Sequence, residues 1–248
     1  MRALVLGGGG IAGIAWETGI LHGLGPSALD VDIVIGTSAG SAVAAALTSG
    51  VSLEDAFAQQ TTPAPATAPA PSLEKIIALF TTMQSFPPDE ARRKLGELAV
   101  AAETMPEDQW KRLIGAGLPS HEWPERKIGV VACEVTTGET RVFDKESGVD
   151  LLSAVSASCA VPGVFPPVTI DGKRYMDGGV RTTTNADLVQ DYDEILVIAP
   201  IPDALRIPHA RVITPDEASL AAMTTNVLDP ATRVPSAHAG LAQGKALR

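Results

Sequence analysis

The 248-residue chain reads as an α/β domain built on a largely parallel sheet. Two strand–turn–helix units fall within its first fifty residues, and further short apolar strands recur toward the C-terminal half. Apolar residues make up 45% of the chain but aromatics only 4%, so Ala, Val, Leu and Gly must do the packing, as close helix-on-sheet contact requires.

The elements follow in order. Residues 3–6 form a buried strand, Gly7–Gly10 a loop, and 11–24 a helix that Gly25-Pro26 stops. Residues 31–35 make a second strand, broken at Gly36, and 39–47 a small-residue helix. Residues 61–72 (TTPAPATAPAPS) favour polyproline II and suit a surface linker. They lie in a helical insert over about 52–126, expected to be either a solvated layer or one wall of an acyl pocket. Within it Ser72 caps a helix running to about Met83, a second helix covers 89–103, and Thr104-Met-Pro-Glu107 has the capping-box spacing for a third. Ile76, Ile77, Leu79 and Phe80 are the candidate acyl-wall residues, with ordinary helix core as the alternative. Residues 127–135 return to strand and pair with 141–143 around Thr137-Gly138. A short helix at 150–158, a Pro-rich turn at 161–167 and a hairpin at 168–177 around Asp171-Gly172 come next. Strands at 194–199 and 211–213 precede a helix from Asp216 to about Leu228, and the tail from Pro230 is a final helix or a loose end. The chain is expected to be a single domain, 1–248.

Net charge is −10, which argues against a nucleic-acid surface and against steering to anionic membranes, while leaving neutral or micellar lipid open. Residues 1–24 lack the basic start and cleavage site of a signal peptide, and Glu17 interrupts them. Residues 31–51 have the length of a membrane span but read better as strand, glycine break and helix. No transmembrane segment is expected, and the location is expected to be cytoplasmic. Cys133 and Cys159, in apolar segments, read as small buried side chains, with no disulfide framework and no metal spacing.

Three motifs carry chemistry. Gly36-Thr37-Ser38-Ala39-Gly40 is a G-x-S-x-G pattern between strand and helix, the context in which a nucleophilic serine is lifted clear of the backbone; the plainer reading makes Ser38 a helix cap. Gly7–Gly10 with Gly13 converges backbone N–H groups on an anion. Gly8-x-Gly10-x-x-Gly13 also fits a dinucleotide fingerprint, but that requires an acid at the end of the second strand, where Ser38 stands instead. An oxyanion hole facing Ser38 explains both motifs together. Asp177-Gly178-Gly179 ends a short strand and is an ordinary turn or the site of a base for Ser38. Of His22, His121, His209 and His238, none sits in a motif, and His209 with Asp177 as orienter is the best triad by chain order. Direct base action by a partly desolvated aspartate is the competing arrangement.

Together these segments resemble the patatin-like phospholipase family. The resemblance rests on the glycine loop with Gly13, on Gly19-Ile20-Leu21, on GTSAGS at 36–41, on ASCAVPGVFPP at 157–167 and on Asp177-Gly178-Gly179. It spans 1–50 and roughly 127–200. It implies a three-layer α/β/α sandwich and lipid acyl hydrolysis by a Ser-Asp dyad, with no cofactor and no metal. Ser38 would be the nucleophile, Asp177 the general base, and the N–H groups of Gly8, Gly9 and Gly10 the oxyanion hole, supported by Gly13, Gly36, Gly40, Gly178 and Gly179. The partner implied is a lipid or other acyl ester, reached by transient membrane or micelle contact. The chain departs from the family at Ala12, where Arg or Lys is common, and in a Gly13–Gly19 spacing one residue longer than in many members. That departure keeps a second reading open, a catalytically weak member that binds lipid or a partner. A nucleotide-binding oxidoreductase is the remote third.

Overall fold

The computed structural model describes residues 1–62 and 73–248, and also leaves out the side chains of Leu73, Ile76 and Phe80. Most of the expected 61–72 linker and the expected Ser72 cap therefore lie outside the described residues.

The central sheet has eight strands: β1 (Arg2–Leu6), β2 (Ile33–Thr37), β3 (Ile128–Glu134), β4 (Thr140–Phe143), β5 (Val168–Ile170), β6 (Lys173–Asp177), β7 (Glu194–Ile198) and β8 (Ala210–Ile213). β3, β2, β1, β7 and β8 lie side by side and parallel. Side chains alternate across the pleat. Leu4 and Leu6 of β1 enter one core while Ala3 and Val5 enter another on the opposite face. The nine helices among the described residues are α1 (Gly10–Leu24), α2 (Ala39–Thr48), α3 (Leu53–Thr61), α4 (Leu73–Ser85), α5 (Pro88–Ala101), α6 (Glu107–Gly117), α7 (Leu151–Ser158), α8 (Glu217–Met223) and α9 (Arg233–Ala246). The larger core joins α1, α2, α6 and α7 to one face of the sheet. On the other face, Leu95 and Leu98 of α5 and Leu79 and Met83 of α4 pack against Cys133 and Met176, and short 3-10 turns at Gly178–Val180 and Ala186–Val189 cover the rest. The result is the mixed α/β architecture expected, three layers with a thinner second helical face.

The antiparallel strands fix the geometry that matters most. Val130 and Val131 of β3 pair with β4 on one edge and with Gly36 and Thr37 of β2 on the other. Ala132 and Cys133 pair with the same β4 on the first edge but with Asp177 and Met176 of β6 on the second. β6 thus takes over from β2 along one edge of β3, and the two strands meet end to end. Thr37 faces Val131 and Asp177 faces Ala132, the next residue along, so the last residue of β2 abuts the last residue of β6.

Two expectations change, and one open alternative is decided. The 104–107 capping box does not form. Pro106 is the N-cap of α6, Thr104 Oγ1 bonds the Met105 carbonyl, and the Glu107 carboxylate accepts from the N–H and the hydroxyl of Thr169, both at 2.9 Å. The helix from Asp216 stops at Met223 because Thr224 turns to φ 56°, and the following segment folds back over the start of α1, where the Val227 carbonyl accepts the Ala12 N–H at 3.0 Å. The tail is a helix, and it is closely packed. A Cβ on Gly19 or Gly23 of α1 would lie 2.3 or 2.7 Å from α9 backbone, and one on Gly240 or Gly244 of α9 would lie 2.3 or 2.5 Å from α1 backbone. The Gly19 of the motif is where two helix backbones touch.

Candidate active site

Ser38 sits between β2 and α2 with φ 51° and ψ −120°. A non-glycine residue in this region is strained and persists only where its surroundings hold it. Its N–H donates to Ser158 Oγ at 2.8 Å, and its carbonyl accepts from Ser41 Oγ at 2.6 Å, Ser41 N–H at 2.9 Å and Cys159 Sγ at 3.2 Å. The elbow closes because Gly40 has no side chain: a Cβ there would lie 2.1 Å from the Leu6 carbonyl oxygen. The Gly40 N–H donates to the Gly7 carbonyl at 3.0 Å, which ties the serine turn to the glycine loop.

The stretch 158–160 also holds the other half of the site, since the Asp177 N–H donates to the Ala160 carbonyl at 2.9 Å. Asp177 is 4% exposed and Ser38 8%. Asp177 Oδ1 accepts the Gly179 N–H at 2.7 Å, while Oδ2 is buried and completes no hydrogen bond among the described residues. Burial pushes the Asp177 carboxyl up to about 6, opposed by the nearby Ser38 hydroxyl and by the Gly179 N–H, both of which favour the charged form. The carboxylate therefore has one oxygen anchored and one left to take a proton.

The glycine loop faces this pair. A Cβ on Gly8 would lie 3.5 Å from Ser38 Cβ. The resemblance implies Gly8 with Gly9 and Gly10 as oxyanion donors, but the Gly8 N–H is already donated to the Thr183 carbonyl at 2.7 Å. The N–H groups of Gly9 and Gly10 have no acceptor among the described residues, and neither does that of Ala39, which the sequence did not single out. All three lie at the first turns of α1 and α2, whose N-terminal ends carry partial positive charge. Ala12, in the position where a cation was expected from the resemblance, is fully buried, with its N–H committed to Val227.

A narrow pocket of about 80 Å³ opens on these groups, walled by apolar Leu79, Met83, Val161, Val180, Val227 and Leu228. Leu79 lines this pocket and also packs in the core against Cys133 and Met176, so it fits both expected readings, and Met83, which the sequence did not mark, does the same. Ile77 points away and is 54% exposed. Ile76 and Phe80 fall among the side chains that are not described. The histidines lie elsewhere. His209 precedes β8 at the opposite, N-terminal edge of the parallel strands, in a groove with Arg2 and Leu24. His22 and His238 pack on Phe57, and His121 lies against Gly115. Cys133 and Cys159 are buried, and burial pushes their thiols up to about 11 and about 12.

Ser158, Thr37 and Asn185 also shape the site and were not singled out. Ser158 lies inside the quoted 157–167 stretch, whereas Asn185 in Thr-Thr-Thr-Asn-Ala-Asp looks like an ordinary turn residue. Among the described residues, no group of three His, Cys, Asp or Glu side chains could hold a metal ion, and no helix is long and apolar enough to cross a membrane.

The fold resembles that of a solved structure. VipD from Legionella pneumophila superposes with a TM-score of 0.53 at 12% identity, covering 99% of this chain and 66% of that one. The type III effector protein ExoU gives a TM-score of 0.37 at 16% identity, covering 98% of this chain and 53% of its own. The chain thus spans about two thirds and about half the length of these two proteins. A family model described as patatin-like phospholipase matches residues 4–189, which include Ser38, Asp177 and the glycine loop. The chain therefore belongs to the patatin-like phospholipase family.

Proposed function

We propose that this chain is a serine acyl hydrolase that cleaves carboxylic esters of lipids through a Ser38–Asp177 dyad. The observation that carries the reading is the end-to-end meeting of β2 and β6 on β3, which brings a strained, pocket-lining serine near a buried carboxylate whose second oxygen completes no hydrogen bond among the described residues.

Asp177 Oδ2 takes the Ser38 proton as Oγ attacks the ester carbonyl. The N–H groups of Gly9 and Gly10, with that of Ala39, receive the oxyanion. Collapse breaks the bond to the alcohol, which leaves with the proton from Asp177, and the acyl group stays on Ser38. Asp177 then takes a proton from water as its oxygen attacks the acyl-enzyme, and the second tetrahedral species collapses to release the fatty acid and return the proton to Ser38. The apolar pocket wall supports an acyl chain as the group bound there, and the net charge of −10 favours neutral or zwitterionic lipid over anionic membrane.

A fluorophosphonate probe tests the assignment. Wild type is expected to label and Ser38→Ala to be silent, while Asp177→Asn stays folded and loses hydrolysis of p-nitrophenyl esters. Equal labelling of Ser38→Ala, or full esterase activity in Asp177→Asn, removes the dyad.

A further inference from the structure

β2 and β6 are not hydrogen-bonded to each other. Each is bonded to β3, and where they meet the backbone ladder has a gap. Asn185 fills it. Its side chain is fully buried, and its Nδ2 donates to Thr37 Oγ1 at 3.1 Å, to the Gly178 carbonyl at 3.2 Å and to the Thr182 carbonyl at 3.0 Å. Thr37 directly precedes Ser38, and Gly178 directly follows Asp177. One amide group thus bridges the residue beside the nucleophile and the residue beside the base.

Asn185 is itself locked. It has φ 52°, in the left-handed region that asparagine tolerates better than most residues. Its N–H donates to Thr182 Oγ1 at 2.8 Å, and its Oδ1 accepts from Arg181 Nη1 at 2.9 Å. Arg181 is held in turn by both carboxylate oxygens of Asp187. The neighbouring residues grip the rest of the site: the Thr183 carbonyl takes the Gly8 N–H, the Thr184 carbonyl accepts from Thr37 Oγ1 at 3.4 Å, and Asp203 anchors Thr184 through its N–H at 3.0 Å and its hydroxyl at 2.7 Å. The segment 181–187 therefore touches the nucleophile strand, the base loop and the glycine loop at once.

We infer that Asn185 is a positioning residue that sets the Ser38–Asp177 separation by bridging Thr37 and Gly178 across the gap between β2 and β6. It touches no reacting atom and acts through its two neighbours. The inference rests on the dyad reading, and its test separates the two.

The test compares wild type with Thr37→Val, Thr37→Ser, Asn185→Ala and the Thr37→Val/Asn185→Ala double variant. Hydrolysis of a p-nitrophenyl ester is measured as kcat and KM per fluorophosphonate-titrated site. Thr37→Val keeps the side-chain shape and removes the acceptor for Asn185 together with the long 3.4 Å bond to the Thr184 carbonyl, so kcat falls about tenfold with KM unchanged. Thr37→Ser keeps the hydroxyl and stays near wild type. Asn185→Ala frees both ends of the bridge and loses about a hundredfold, the scale of a small misplacement of reacting groups. The double variant is no slower than Asn185→Ala, because the bridge is already gone. The acid limb of the pH profile moves to higher pH in Thr37→Val, since a serine hydroxyl drifting from Asp177 no longer favours its charged form. If wild type neither labels nor hydrolyses, the dyad reading fails. If wild type is active and Thr37→Val and Asn185→Ala keep wild-type kcat per titrated site, or their losses simply multiply, the positioning role is overturned. Should Asn185→Ala not fold, Thr37→Val against Thr37→Ser decides the matter alone.

Discussion

The most direct consequence of a buried Asp177 is the shape of the pH profile. A free aspartate side chain titrates near 3.8, and burial lifts Asp177 to about 6. The net difference is about 2 units, or roughly 3 kcal/mol in favour of the protonated form after the Ser38 and Gly179 contacts have offset part of the burial. If Asp177 is the base, only its ionised form is competent, and kcat/KM falls with unit slope below pH 6. At pH 5 about one molecule in ten would be competent and the rate about tenfold below its plateau, whereas an ordinary aspartate would show almost no loss at that pH. The assay is second-order labelling by a fluorophosphonate, or p-nitrophenyl ester hydrolysis, from pH 4.5 to 8, with folding followed by circular dichroism at each point. The sign for stability runs the other way. The folded state holds the Asp177 proton more tightly than the unfolded chain, so this group adds stability as pH falls from 6 toward 4 and is not a cause of acid unfolding. A flat rate between pH 7 and 5 would refute the buried base. So would a limb near 6 that survives in the residual activity of Asp177→Asn.

Three further outcomes follow from the geometry. Ser158→Ala leaves the buried Ser38 N–H without its acceptor, which costs about 1–3 kcal/mol and lowers Tm by about 2–10 °C with slower labelling; an unchanged Tm and labelling rate would count against the clamp. Glu17 is fully buried in α1 and its carboxyl completes no well-formed hydrogen bond among the described residues; burial holds it well above the usual carboxylate range, opposed only by the nearby Gly7 backbone. Because the folded state keeps that proton, wild-type stability falls as pH rises above the unfolded value near 4.5, and Glu17→Gln gains in Tm over wild type increasingly from pH 5 to 8; a pH-independent difference would refute this. Met83→Ala enlarges the pocket over Ser38, so the preferred p-nitrophenyl ester shifts toward longer chains, and an unchanged preference would detach α4 from the acyl site.

The elbow at Ser38 was legible because its signal is local: a strand, a glycine, a serine and a small-residue helix within ten positions. The glycine loop was legible for the same reason, but the fate of each N–H was not. Gly8 is taken by Thr183, some 175 positions away, and no spacing rule announces that partner. Asp177 could be noticed as an acid before two glycines, yet its closeness to Ser38 comes from the register of β6 on β3, a pairing set by tertiary packing. The capping box at 104–107 misled because Glu107 found a better use on Thr169, and the helix from Asp216 ran too long on paper because its chain was needed over Gly10. Asn185 carried no local mark at all, since its worth lies in three acceptors brought together only by the folded sheet.

The interlocked glycines of α1 and α9 bear on what counts as the unit of inheritance here. The family match stops at residue 189, but α9 begins at Arg233 and presses directly on the helix whose first turn bears Gly10. A boundary drawn by resemblance would cut off the buttress of the element it means to preserve. At these contacts backbone meets backbone, so a side chain added at any one of the four glycines would force the two helices apart. In this chain, α1 and α9 therefore act as a matched pair, and removing α9 would uncover the helix that carries Gly10.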